Sequence, residues 1–576
     1  MFRLTNRYLL YTILFLIFWI IWNIYWINNN YEYSGFDILG HLSNEKDVLA
    51  QISSELRYSS FTAGIKTITQ LSREGLNWPK LSYVISAIFE ILTGYNNNAV
   101  IYSNFIYVLL IIFSVFGISK VIHSNLAGFY SVILLLLIPG FIGFTRLYSL
   151  DLPLGAIIIL TIYMFILFSE NFSTARALIL GLVISLGVLI RPQYLLYIFI
   201  PMIIFSIKIV DNQREGSEFL PFLPITLGML SLLYWVTEYP NKIDGAFQQL
   251  FLHLGKDIFQ PDYKFDFDLN YKPFGIDYFS FYIKVYLVNS GIINFVIFTP
   301  LIFSSVVIAF KRKMTLSPYI IVMTSFIWIY LLLSIMSSKV PKYFMVEYPL
   351  IAIISGCTIA SIESRIIRYF IHLFIFFSII FNILLSHSQT FNFFVSDNTY
   401  KIFGPASEMW ERPIDGKGYK DIASQIASLL KELSTKKPYP YVCIIPEITN
   451  IEKIYFIESQ YQNLIYLIRR YFSPWLSIRV ENTDASEIEY FRSKAILPMN
   501  YSLIFRNNTA GVTCYRESDI IIAIRQIDAK NQIDIKDKTL SGINDYKRIY
   551  ISNLIKGLRE WWTDAIVEVY VRKDMN

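Results

Sequence analysis

Charge is scarce in this chain. Asp, Glu, Lys and Arg make up 16% of its 576 residues, against about 25% in ordinary soluble domains, which excludes a purely soluble protein and a disordered one. Histidine is scarcer: five residues, at 41, 123, 253, 372 and 387, are too scattered to form a multi-histidine metal motif. There are three cysteines; Cys357 sits in an apolar run, and Cys443 and Cys514 allow one disulfide in an oxidising compartment. No basic run exceeds Lys311-Arg312-Lys313, and the net charge of +6 is too diffuse to argue for nucleic acid. There is no internal repeat and no low-complexity tract. The first apolar run also lacks the short length and small-residue cleavage site of a signal peptide.

Hydrophobicity is abundant instead. The chain is 54% hydrophobic and 17% aromatic, with a mean hydropathy of +0.45. The charge that exists is uneven: 48 of the Asp, Glu, Lys and Arg residues follow position 390. The first two thirds therefore read as membrane and the last third as a water-soluble domain.

Tyr8 to Ile27 is an uninterrupted apolar run behind a basic N-terminus, and it predicts an uncleaved first helix that begins inside. Further runs of spanning length lie near 98–119, 124–144, 152–169, 219–236, 290–310, 317–336, 343–360 and 369–387. Ala177 to Lys208 holds two shorter helices broken at Arg191-Pro192. With about 11 spans, every predicted inside turn carries a basic residue: Lys120; Arg176; Lys208 with Arg214; Lys311 to Lys313; Arg365 with Arg368. The odd count places the charged tail on the outer face. Leu81 to Leu92 is amphipathic but too short to span, and is expected on the outer membrane surface.

In the tail, 391–576, Tyr419 to Leu433 reads as an amphipathic helix. Tyr441 to Pro446, Leu476 to Val480, Asp519 to Ile524 and Ile566 to Val571 read as strands, with a helix near Asp545 to Trp561. Strands alternating with helices suggest an α/β layer domain. The expected architecture is a polytopic α-helical membrane domain over 1–390, with outer loops near 28–97 and 237–289, followed by an extracytoplasmic α/β domain.

The polar residues near the outer face form a pattern. Two carboxylates, Asp37 and Asp151, face the cations Lys80, Arg191, Lys339 and Lys342. Ionisable groups gathered at membrane depth mark a site more often than chance. This inventory suits a reaction that needs a general base and releases a lipid-linked phosphate. Each residue also has a plainer reading. Asp37 fits a solvated loop carboxylate, Asp151 a helix N-terminal charge, and Lys339 and Lys342 snorkelling anchors at the membrane edge. His41 fits a loop histidine. Arg191, at an apolar break, needs an anionic partner. Asp37 and His41, four apart, are weak candidates for a divalent metal.

These residues occur in an order that resembles a known family. Trp78-Pro-Lys-Leu-Ser-Tyr83 leads into the short amphipathic helix, and Arg146-Leu-Tyr-Ser-Leu-Asp-Leu-Pro153 precedes a span. Gly181-Leu-Val-Ile-Ser-Leu-Gly-Val-Leu-Ile-Arg-Pro192 follows it, and Lys339-Val-Pro-Lys-Tyr-Phe-Met-Val-Glu-Tyr-Pro349 comes late. Over about 8–390 the chain looks like the GT-C glycosyltransferases, in the broad group of protein O-mannosyltransferases and bacterial aminoarabinose lipid A transferases. The resemblance implies that Asp37 is the catalytic carboxylate, that Asp151 shapes the acceptor or donor site, and that Lys339, Lys342 and Tyr343 bind a polyprenyl phosphate. Lys80, Arg146 and Arg191 would join the substrate site. The family's box of a charged residue before Pro-Pro reads Trp78-Pro79-Lys80 here, and Ile38 stands where a second acidic residue often follows the early Asp.

The resemblance implies an integral membrane glycosyltransferase, inverting at the anomeric carbon, that moves a hexosyl or pentosyl group from a polyprenyl-phosphate-linked sugar. The acceptor would be a hydroxyl on a lipid, glycan or protein at the outer face. No cofactor is expected, and no nucleic-acid partner. A bacterial inner membrane fits the composition, with the N-terminus cytoplasmic and the tail periplasmic. Two rivals stand beside it: a polysaccharide polymerase or ligase, and a non-enzymatic lipid or solute transporter.

Overall fold

A computed structural model of the chain describes residues 2–30, 61–73, 80–93, 98–171, 173–211, 222–236, 276–311, 314–335 and 341–388, shorter stretches within 41–56 and 391–432, and the strands of the tail. It divides into two compact units. One comprises Met1–Asn29, Ile68–Ser86 and Asn98–Pro413; the other comprises Asn30–Thr67, Ala87–Asn97 and Ile414–Asn576.

The helices among the described residues are α1 (Phe2–Asn30), α2 (Phe61–Arg73), α3 (Leu81–Leu92), α4 (Ala99–Tyr102), α5 (Asn104–Ile122), α6 (Asn125–Leu136), α7 (Pro139–Thr145) and α8 (Asp151–Glu170). They continue with α9 (Thr174–Ile190), α10 (Tyr194–Asp211), α11 (Phe222–Val236), α12 (Ile276–Ser290), α13 (Ile292–Phe310) and α14 (Leu316–Ile335). A 3-10 turn (Pro341–Val346) then leads into α15 (Glu347–Ser361), and α16 (Arg365–His387) follows. Each apolar run expected to span is helical over most of its described residues. Six stretches are long and apolar enough to cross a membrane, and the bent pair α6 and α7 makes a seventh. Thr174–Ile190, Tyr194–Ile207, Phe222–Tyr234 and Asn294–Phe310 are shorter apolar helices. The structure adds α12 at the end of the segment read as an outer loop; at 15 residues, with Asp277 and Lys284 among them, it is too short to cross a membrane.

The bend between α6 and α7 is 72°, and Pro139 explains it, because proline cannot donate the hydrogen bond that would continue the helix. The carbonyls freed by the break must be satisfied inside the protein, since hydrocarbon offers no donor. Trp19 Nε1 donates to the Leu136 carbonyl at 3.0 Å, and Asn294 Nδ2 and Asn382 Nδ2 donate to that of Leu137 at 3.0 and 2.7 Å. The bend is thus stapled to α1, α13 and α16.

Close packing holds the bundle's centre. The stretch Pro341–Ser361 is 94% buried, against 28% for Arg365–His387, whose exposed Ile366, Phe370 and Phe377 suit contact with lipid. Gly356 lets α15 approach α6: a Cβ there would come within 2.5 Å of the Ser131 backbone nitrogen. This is the small-residue contact expected where lipid removes the hydrophobic drive between helices. Buried hydroxyls cross-link the same region, Ser119 to Ser131 at 2.8 Å and Ser305 to Tyr319 at 2.7 Å.

In the tail, β1 (Tyr441–Glu447), β2 (Ile504–Asn507), β3 (Ile520–Ile527), β4 (Tyr546–Ile551) and β5 (Asp564–Arg572) form one sheet in the order β2-β1-β3-β5-β4. β1 pairs in parallel with β2 and β3, while β5 runs antiparallel to β3 and β4. Three expected strands are present. The helix expected near Asp545 to Trp561 is instead opened by β4, whose Tyr546, Ile549, Tyr550 and Ile551 are β-favouring types. A bulge between Arg548 and Tyr550 disturbs its apolar alternation, which hid the strand. The strand expected at Leu476 to Val480, most of the helix expected from Tyr419 to Leu433, and Cys514 lie outside the described residues.

Candidate functional site

Three separate stretches deliver the site. Asp151 opens α8, and the turn before it is fixed by Asn104, whose Nδ2 donates to the carbonyls of Thr145 at 3.2 Å and Leu147 at 2.7 Å. Arg191 ends α9. Pro192 disfavours helical backbone in the residue before it, and Arg191 is extended, with φ −161° and ψ 118°. Gly187 leaves room for the Tyr194 ring, which a Cβ would meet at 2.6 Å, so α9 and α10 close tightly around that corner. Lys342 and Tyr343 come from the 3-10 turn, which packs on α8: a Cβ on Gly155, one turn after Asp151, would lie 3.9 Å from Met345 and Val346.

These groups converge. Arg191 Nη1 lies 2.7 Å from Asp151 Oδ1, and Lys342 Nζ lies 3.9 Å from Oδ2. The first contact is a charge-assisted hydrogen bond; the second is ionic proximity without one. Tyr343 stands between the cations, its ring centre 5.7 Å from the Arg191 guanidinium carbon and 5.9 Å from Lys342 Nζ. Asp151 is 2% exposed and Arg191 9%. Charges this deep are expensive to bury and persist where geometry pairs them well. The buried Tyr197 hydroxyl lies in the field of Arg191, Tyr343, Asp151 and Glu347 together. Two cations, one carboxylate and a tyrosine on three elements can hold an anion and orient a polar substrate beside it.

Arg146 is placed among other residues. Its Nε donates to Asn23 at 2.8 Å and Nη1 to Ser386 at 3.2 Å, and its guanidinium lies 4.1 Å from the Trp26 ring centre and 5.1 Å from that of Trp22. Lys80 is half-buried at the head of α3, where its carbonyl accepts the Val84 N–H. His41 is helical and half-buried. Asp37 and Lys339 lie outside the described residues, so the pairing of Asp37 with His41 does too. Among the described residues no group of three or more His, Cys, Asp or Glu is placed to hold a metal ion.

Sequence reasoning singled out neither Tyr197 nor Glu347. Tyr197 follows Arg191 by six residues inside an apolar helix and gives no separate signal. Glu347 does give one: it is the one charged residue between Lys342 and Glu363.

The sequence profile of the dolichyl-phosphate-mannose-protein mannosyltransferase family matches residues 78–236, a stretch that holds Asp151 and Arg191 and stops short of Lys342. No curated protein matches by sequence. The crystal structure of ArnT from Cupriavidus metallidurans bound to undecaprenyl phosphate is similar over 98% of both chains, with a TM-score of 0.56 at 11% identity. Its apo form gives 0.56 at 12% over the same shares. The Archaeoglobus fulgidus oligosaccharyltransferase gives 0.41 at 12%, over 89% of this chain and 69% of that one. With apolar helices of spanning length and a fold shared with the ArnT structure across 98% of its residues, the chain is a polytopic membrane protein of the GT-C fold.

Proposed function

We propose that the protein transfers a sugar from a polyprenyl-phosphate donor to a hydroxyl of a lipid, glycan or protein acceptor at the outer face of a bacterial inner membrane. The observation that carries this reading is the convergence of Asp151, Arg191, Lys342 and Tyr343 from three distant stretches. Undecaprenyl phosphate in the similar ArnT structure supports the choice of donor.

In this mechanism the acceptor oxygen attacks the anomeric carbon as the bond from that carbon to the phosphate oxygen breaks, with inversion. Asp37 takes the acceptor's proton as general base. Polyprenyl phosphate leaves with the bonding electrons, and Arg191, Lys339 and Lys342 offset its growing charge. Asp151 holds Arg191 in place, and Tyr343, with Lys80, completes the substrate site. No cofactor enters the scheme.

The test is transfer of labelled sugar from membrane-borne polyprenyl-phosphate sugars, comparing wild type with Asp37→Asn. Label should leave the carrier for an acceptor only in wild type. Equal turnover in both would move the base elsewhere. No turnover in wild type across a full donor panel would favour a transporter, and a product lengthened by preassembled glycan units would favour a polymerase or ligase.

A further inference from the structure

Glu347 is the first residue of α15, directly after the turn that carries Lys342 and Tyr343. Its exposure is 0%, and neither carboxyl oxygen has a hydrogen-bond partner among the described residues. A buried carboxyl left without partners destabilises a fold, and apolar packing would serve a purely structural site better. At membrane depth, such a group is by default a functional one. Its surroundings point the same way. The Tyr197 hydroxyl lies in the field of Glu347 and in that of Arg191, Tyr343 and Asp151. Five steps along the chain lead from Lys342 through the 3-10 turn to Glu347, about 10 Å at roughly 2 Å per step. That distance suits a phosphate carrying one sugar ring.

We propose that Glu347 reads the sugar of the lipid-phosphate donor, its two carboxyl oxygens hydrogen-bonding neighbouring ring hydroxyls while Arg191 and Lys342 hold the phosphate. This rests on the lipid-phosphate reading above. Glu347 makes no bond in the reaction; it fixes which sugar sits beside the base, and the ring hydroxyls supply the partners its oxygens lack in the protein.

The experiment measures binding of bare undecaprenyl phosphate and of undecaprenyl phosphate carrying glucose, mannose or galactose to the full chain in lipid nanodiscs. Wild type, Glu347→Leu and Glu347→Gln are compared, with a thermal midpoint for each. Wild type should bind at least one sugar-bearing lipid about tenfold tighter than the bare one, the ratio that one hydrogen bond to a charged group provides. Glu347→Leu should erase that preference, change bare-lipid affinity by less than about twofold, and hold or raise the thermal midpoint. Glu347→Gln should keep part of the preference, because its amide still hydrogen-bonds. The role of Glu347 is overturned if wild type shows no sugar preference, if Glu347→Leu keeps it, if both affinities fall together, or if the midpoint drops as for a structural residue. If wild type binds none of these lipids, the lipid-phosphate reading itself fails, and the assignment of Glu347 fails with it.

Discussion

Arg146 and Arg191 are both buried, at 3% and 9% exposure, and the protein accommodates them differently. Around Arg146 stand the indole faces of Trp22 and Trp26 and the neutral oxygens of Asn23 and Ser386. It thereby ties α1 to α16, the two least buried of the six long apolar helical stretches among the described residues. Arg191 instead meets a carboxylate at 2.7 Å, with a second cation and a tyrosine beside it. A guanidinium spread over aromatic faces is a fixed joint. One set against a carboxylate and another cation can exchange partners when an anion arrives. The two arginines therefore teach how to tell a joint from a site in a membrane protein: by the partners the fold brings to them, not by their burial.

The sharpest way to break this contrast is to remove one charge of the buried pair. Arg191→Met should cost about 3–5 kcal/mol by stranding Asp151, and adding Asp151→Asn should recover much of that loss. Thermal or denaturant unfolding of both variants checks it; a double mutant no better than the single would mean the pair is not coupled. Arg146→Met should lower stability by about 1–3 kcal/mol through lost hydrogen bonds and cation–π contact, with a smaller loss of undecaprenyl-phosphate binding than Arg191→Met causes. Equal losses of binding would place both arginines in one site. Lys342→Met should destabilise less than Arg191→Met, since its 3.9 Å contact is not a hydrogen bond, yet weaken lipid-phosphate binding about tenfold.

The smallest expected effect is of pH, and it separates both arginines from the histidines. Neither guanidinium titrates between pH 5 and 8. Burial holds His123, in the turn between α5 and α6, below the usual histidine range. Its contribution to stability is therefore complete above about pH 6.5 and declines as pH falls through that value toward the lowered one. A midpoint that drifts down slightly between pH 7 and 5 in wild type, and less in His123→Gln, is the expected result. A drift of equal size in both would remove His123 as its source.

Much of this was legible in the chain itself. The helices stand where the apolar runs put them, because a membrane segment must satisfy its own backbone and so announces itself by composition. The break at Arg191-Pro192 was also readable, since proline acts on its immediate neighbour. The tail was less so. The β4 strand passed for a helix because a bulge masked its alternation, and strand pairing depends on partners far along the chain. At the site, sequence marked Arg191 as a cation in need of an anionic partner and brought in Arg146 only through the resemblance, and it passed over Tyr197, whose only distinction is its neighbours.

Sequence by itself determined that the chain is a membrane protein and where its long apolar helices lie, because hydrophobic length and local backbone chemistry are properties of neighbouring residues. Tertiary structure alone decided that Asp151 would meet Arg191 and Lys342, that Arg146 would lie beside two indoles, and that Glu347 would be buried with no hydrogen-bond partner among the described residues. Those outcomes depend on how α8, α9, α15 and α16 pack, and packing is settled by contacts between residues tens to hundreds of positions apart.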